Sequence, residues 1–211
     1  MNPPAVHLAA LQDFPGSVDL TPDHVNIVGV RCFPGDTENI YDDFIYVYWV
    51  DSVDNQLYIF QLPGTTDPGD GAIPEGMGRG TLCPQNVKGM WKIGLMHAGT
   101  ENQQRCGVQN APAYWWDGNH RRVITDDTPK HFGKTWCNFH RMWGHLININ
   151  SLMCQGTIDI GKFNALIGPT PDQPGAFDVI AQRSGLGENW AVDYTLIERP
   201  KGDPLLSPMT S

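Results

Sequence analysis

Two side chains fourteen positions apart, His140 and Cys154, are of the types that thiol-based acyl transfer requires. A thiolate attacks a carbonyl carbon, and a neutral imidazole removes the thiol proton beforehand. An ordinary cysteine titrates near ~8.5, so Cys154 needs a basic or cationic neighbour to react at neutral pH. His140, with an ordinary pKa near ~6.5, is the candidate base. Ser151 stands ready to fix the tautomer of His140, or to close a local turn. If the turn around Ser151 opens a helix, the backbone amides of Met153 and Cys154 become oxyanion donors. Arg141 alternates with His140 along an expected strand and so faces the other way; at a strand end it could meet a substrate carboxylate, and a surface salt bridge is an equal alternative. His97 ends another expected strand, and His145 is a further candidate histidine.

Other chemistries compete for these residues. His97, His140, His145 and Cys154 contain enough ligand types for zinc, but no H-E-x-x-H or C-x-x-C spacing supports it, and no metal or cofactor is expected. Glu75, Glu101 and Glu188 fall in expected loops with nothing to pair them as glycosidase carboxylates. The seven tryptophans, Trp115, Trp116 and Trp143 among them, are expected mainly in the core, with one or two free to stack on a sugar ring.

The elements that must position these groups are mostly strands. The chain has 211 residues, enough for one large domain with a real core. Its 40% hydrophobic content is ordinary for a globular protein, and 23 glycines with 17 prolines predict many turns and few long helices. Strands are expected over Val25 to Arg31, Phe44 to Val50 (buried on both faces), Gln56 to Gln61, Val87 to His97, Arg105 to Gln109, Ala113 to Trp116, Thr135 to Arg141 and Asp193 to Glu198. A helix is expected to begin near Asp159 as its cap and to stop at Gly168-Pro169. Loops are expected over Pro63 to Gly80 and Thr170 to Ala176. The fold class is therefore mainly β with one or two short helices, a mixed sheet or sandwich. The N-terminal arm covers 1–24, the domain 25–198 and a C-terminal tail 199–211.

A net charge of -9 argues against nucleic acid as a partner. Five widely spaced cysteines argue against a disulfide scaffold. No signal peptide and no membrane-spanning run is read from the sequence, so synthesis in a cytoplasm is expected.

Several short segments carry a resemblance. Val28 to Arg31 followed by Asn39 to Asp43, the loop Gln61 to Gly69, Gly80 to Pro84, Trp91 to His97, Asn138 to Arg141, Ser151-x-x-Cys154-Gln155 and Tyr194 to Leu196 occur in the order of one family. The chain resembles phage-encoded members of the L,D-transpeptidase-like (YkuD-like) catalytic domains, over about residues 25 to 198. The resemblance implies action on bacterial peptidoglycan stem peptides, with Cys154 as nucleophile, His140 as base and Ser151 in support. Arg141, His97, Gln155 and Met153 then lie on the substrate side. The family's phage setting favours hydrolysis over cross-linking, by a free lysin or a virion component acting at the wall. Met153 departs from the glycine usual before the family's cysteine; it reaches the required backbone angles only at a cost. That departure favours one alternative, a non-catalytic wall-binding or virion module on the same fold; a glycan-cleaving lysin is a separate alternative.

Overall fold

A computed structural model describes residues 19–32, 41–67, 80–117, 128–144 and 154–209. Within them the expected β-rich class holds. The strands are β1 (Asn26–Cys32), β2 (Asp43–Val50), β3 (Leu57–Thr65), β4 (Gly80–Leu82), β5 (Gln85–Met96), β6 (Gln104–Gln109), β7 (Ala113–Asp117), β8 (Lys130–Gly133), β9 (Phe139–Arg141), β10 (Gln155–Thr157) and β11 (Val192–Arg199). The large mixed sheet closes on itself in the order β1-β11-β5-β6-β9-β10-β3-β2, with β2 pairing back to β1. Two pairs, β1 with β11 and β9 with β10, are parallel. A second, three-stranded sheet has the order β4-β7-β8, and its Leu82 and Ala113 join the main buried cluster.

Alternation along each strand sorts side chains between lumen and exterior. Ile27, Ile45, Val47, Leu62, Trp91, Phe139, Tyr194 and Leu196 share one buried cluster that spans the barrel. Trp91 packs at 4.5 Å from Tyr194 and 5.6 Å from Phe139, centroid to centroid. Residues of opposite parity, Val28, Val30, Tyr46, Tyr48 and Ile197, form a second cluster outside, completed by Leu205. This is why β2 reads as apolar throughout: both its faces are covered.

The C-terminal segment packs against that outer cluster. Pro204–Leu206 forms a 3-10 turn, and Leu205 is fully buried. Tyr46 Oη donates to the Leu205 carbonyl at 2.8 Å, while Gln61 donates to the Ser207 carbonyl and accepts from the Met209 amide, both at 2.7 Å. The apolar outer face of β1 and β2 needs a cover, and the C-terminal segment supplies it.

The helix α1 (Ile160–Ile167) begins and ends where the sequence predicts. Asp159 accepts from the Lys162 amide at 3.0 Å, and Gly168, at φ 84, takes the left-handed turn that stops it. Phe163, Leu166 and Ile167 are its buried face. A second helix, α2 (Ala176–Arg183), follows the expected loop and was not foreseen. Its first turn is held by Asp178, which accepts from the Gly175 amide and pairs with Arg105; its last turn is tied by Arg183 to Asp23 and Asp51. Gly64 permits the close approach of β3 to β10, since a Cβ there would stand 2.0 Å from the Gly156 carbonyl oxygen. No helix among the described residues is long and apolar enough to cross a membrane.

Near the start of β1, Asp193 accepts from His24 (2.9 Å), Lys88 (2.6 Å) and the Gly89 amide (2.7 Å). Burial opposes the carboxylate, yet these donors hold its pKa at about 2. The same bond raises His24, against its own burial. A raised histidine contributes stability that is complete below its unfolded pKa, near ~6.5, and is lost as pH rises through the folded value. Part of the melting-temperature decline above neutral pH is therefore expected to vanish in His24→Gln, as scanning calorimetry from pH 6 to 9 would read.

Candidate active site

The β9–β10 ladder sets the site. Phe139 points into the lumen, so His140 lies on the outer face. In the parallel register Gly156 is opposite His140, and the Gln155 amide donates to the Asn138 carbonyl at 2.9 Å. Cys154, two residues before Gly156, thus emerges on the same outer face as His140. The two are diagonal neighbours, roughly 7–8 Å apart at Cα for ordinary strand spacings. On the other flank Gly107 pairs with Phe139, which brings Cys106 of β6 across from His140.

Of the five cysteines, all thiols, Cys154 alone is not buried. Burial pushes the Cys106 thiol up to about 12 and Cys137 well above its ordinary value; each also feels the nearby Cys154. A buried thiol of raised pKa is a poor nucleophile, so the geometry separates Cys154 from the rest. Its Sγ donates to the Trp136 carbonyl at 3.6 Å.

His140 is 3% exposed. Burial lowers its pKa to about 4; the contact of Nδ1 with the Arg141 carbonyl (2.8 Å) works the other way, and the nearby His97 adds to the lowering. Because a carbonyl only accepts, Nδ1 carries the hydrogen and Nε2 presents its lone pair. That Nε2 is buried and has no hydrogen-bond partner among the described residues. Gly156 lacks the Cβ that would stand 2.0 to 2.6 Å from Met142 side-chain atoms, so Met142 lies across it on the outer face.

The remaining expected site residues divide. His97 ends β5 in the left-handed region, φ 54, exposed, and near enough to act on the charge of His140. Arg141 shares the parity of Phe139 and faces away from His140. Its guanidinium lies 5.2 Å from the Trp143 ring, and its buried Nε has no partner among the described residues. Gln155 corrects the expectation of a substrate contact. It is fully buried and turned to the lumen, where it accepts from Tyr194 Oη at 2.5 Å and donates to the Thr66 carbonyl at 3.3 Å. Being adjacent to Cys154 in a strand, it must take the opposite face. Ser151, Met153 and His145 lie outside the described residues. Among the described residues no three His, Cys, Asp or Glu side chains are grouped to hold a metal.

The expected strand from Thr135 is shorter than predicted, because residues 135 to 137 form a tight excursion that sequence reading missed. Gln109, nearly buried, accepts from the amides of both Thr135 (2.8 Å) and Cys137 (2.9 Å) through one oxygen. Trp136, between them, has φ 61, is 76% exposed, and bonds the Cys154 thiol through its carbonyl. A left-handed conformation costs a bulky L-residue about 1–2 kcal/mol. Nothing in the local sequence signals it; a glutamine closing β6 and a lone tryptophan look ordinary.

No protein-family model matches the chain, and neither a curated protein nor a solved structure does.

Proposed function

We propose that this protein is a thiol-dependent hydrolase of peptide bonds in bacterial peptidoglycan stem peptides, working through an acyl-enzyme on Cys154. The observation that carries the reading is His140 Nε2: a buried lone pair, without a hydrogen-bond partner among the described residues, on the same barrel face as the one cysteine that is not buried. The Arg141 carbonyl, 2.8 Å from Nδ1, supports the Nδ1–H tautomer that leaves Nε2 as the base. The order of motifs set out above, and not any likeness to a solved structure, supplies the substrate class. The phage setting and action at the wall belong to the same proposal.

In the proposed cycle the Cys154 thiol turns from the Trp136 carbonyl toward His140. Nε2 takes the thiol proton, and Sγ attacks the carbonyl carbon of the scissile bond. The C–N bond breaks as His140 returns the proton to the leaving amine. A water, deprotonated by the same Nε2, then attacks the thioester; the carboxylate product leaves and the thiol is reprotonated. The Cys154 amide is a donor for the developing oxyanion; its expected partner, the Met153 amide, lies outside the described residues.

His140 must be neutral to act as base. Its pKa of about 4 keeps it neutral well below the usual range. The acid limb of kcat/KM is therefore expected near pH 4 to 5 instead of 6.5, and a limb at 6 to 7 would remove His140 from this role. The reaction class is tested by mass spectrometry of digested, purified peptidoglycan. New peptide termini, with an acyl adduct on the Cys154 peptide after rapid acid quench, support the proposal. New reducing sugar ends would assign a glycosidase. Intact muropeptides with retained wall binding would assign a recognition module.

A further inference from the structure

We infer that Trp136 is a specificity-determining residue of the Cys154 site, a platform for the peptide residue flanking the scissile bond. The inference rests on the proposed thiol chemistry at Cys154 and adds a contact that neither motif nor strand pattern assigns. Three observations converge on it. Trp136 is 76% exposed, more than any other tryptophan among the described residues, although an indole is the largest apolar group a chain can bury. The backbone at Trp136 is left-handed at φ 61, a conformation that a glycine or asparagine would hold with less strain. The carbonyl of the same residue accepts from the Cys154 thiol.

Gln109 builds this arrangement. Its side-chain oxygen receives the amides on either side of Trp136, and its Nε2 donates to the Ala111 carbonyl at 3.0 Å. Cys137, next in the chain, is fully buried, and Trp91 Nε1 donates to its carbonyl at 2.7 Å. With both neighbours pinned, residue 136 is turned outward. Its carbonyl goes to the thiol, and its side chain goes to solvent. A bulky aromatic held out of the core by a purpose-built clamp, one bond network from the nucleophile, is placed to touch whatever acylates that nucleophile.

The occupant follows from reach. An extended peptide advances about 3.3–3.6 Å per residue, so a group on the indole of the residue that touches Sγ lies within about two residues of the carbonyl under attack. In a stem peptide that group is another amino acid, not the sugar. Its aliphatic face would pack on the indole and set the scissile carbonyl over Sγ. The contact forms on binding, so it governs KM more than kcat.

The test uses the full chain with Trp136→Gly and Trp136→Phe, against a free stem tetrapeptide and the disaccharide-tetrapeptide. Glycine suits φ 61, so Trp136→Gly is expected to melt at or above the wild-type temperature while KM for the free tetrapeptide rises about tenfold or more and kcat falls less than about threefold; Trp136→Phe keeps most of the affinity. Unchanged KM in a folded Trp136→Gly protein overturns the inference and leaves the thiol mechanism standing. A KM defect confined to the disaccharide substrate overturns the peptide assignment in favour of the sugar. If the wild type turns over neither substrate, the thiol reading fails. Calorimetric titration of the free tetrapeptide then decides the platform by itself: a tenfold weaker Kd for Trp136→Gly supports it, and equal Kd values or no binding overturn it.

Discussion

Replacing Cys154 by alanine is expected to lower peptide release from purified peptidoglycan by at least about 10³-fold, leaving only what binding and oxyanion contacts supply. The expectation rests on exclusion as well as proximity. Cys106 and Cys137 lie close by, but burial keeps both as protonated thiols, so neither substitutes for Cys154. Serine is not expected to rescue the reaction. A base held at about 4 removes a proton from a thiol far more readily than from an alcohol, whose pKa is many units higher. Cys154→Ser should therefore fold and melt like the wild type yet stay within about tenfold of the alanine variant. Brief treatment of the native protein with iodoacetamide, followed by peptide mapping, gives an independent reading, with the label expected on Cys154 ahead of the four buried thiols. Full activity in the alanine variant would end the thiol mechanism.

The second large effect concerns stability. Arg31 is 2% exposed inside the barrel, and every nitrogen of its guanidinium has a partner. Nε pairs with Asp67 at 2.9 Å and donates to Thr66 Oγ1 at 3.2 Å; Nη1 bonds the Leu82 carbonyl at 2.9 Å and Glu198 at 3.2 Å; Nη2 bonds the Thr66 carbonyl at 2.9 Å. Removing one partner of a buried ionic network costs about 3–5 kcal/mol, because the remaining charges keep their desolvation without compensation. Asp67 and Glu198 are each about a quarter exposed, so water recovers part of this, and the lower end applies to Arg31→Ala. At about 2–4 °C per kcal/mol for a chain of this size, the melting temperature should fall by roughly 6–12 °C.

The deficit should also depend on pH. Asp43 accepts from the Cys32 amide and from Thr66 through both its amide and hydroxyl, but burial first, and then Asp67 and Asp42, raise it to about 7. A carboxyl raised in the folded state favours folding while protonated and loses that contribution as pH climbs from the unfolded value, near ~3.9, to about 7. Without the Arg31 cation the ionised form is less favourable still, so Arg31→Ala should be more destabilised at pH 8 than at pH 5. Urea unfolding at both values would show it. A loss under about 1 kcal/mol at pH 8 would mean that the network contributes little net stability, as some buried ion pairs do.

The sequence by itself determined the local elements. β-Branched and aromatic runs mark β1, β2 and β11, and Asp159 with Gly168 bounds α1, because strand propensity and capping are decided within a few residues. It also marked Cys154 and His140 as chemically competent types, and period-two alternation put Arg141 on the face opposite His140. Alternation cannot say which face is the lumen. That was decided by closure: β1 meets β11 with Asn26 against Asp193, and β9 meets β10 in parallel, pairings between segments whose registers no local pattern encodes. Closure turned Gln155 inward and His140 outward, and it gave Leu205 an apolar face to cover. The pKa of His140, the burial of four thiols and the left-handed turn at Trp136 follow from the same cause. Desolvation and backbone strain are properties of the packed surroundings, and those surroundings, including Gln109 beneath Trp136, come from distant parts of the chain.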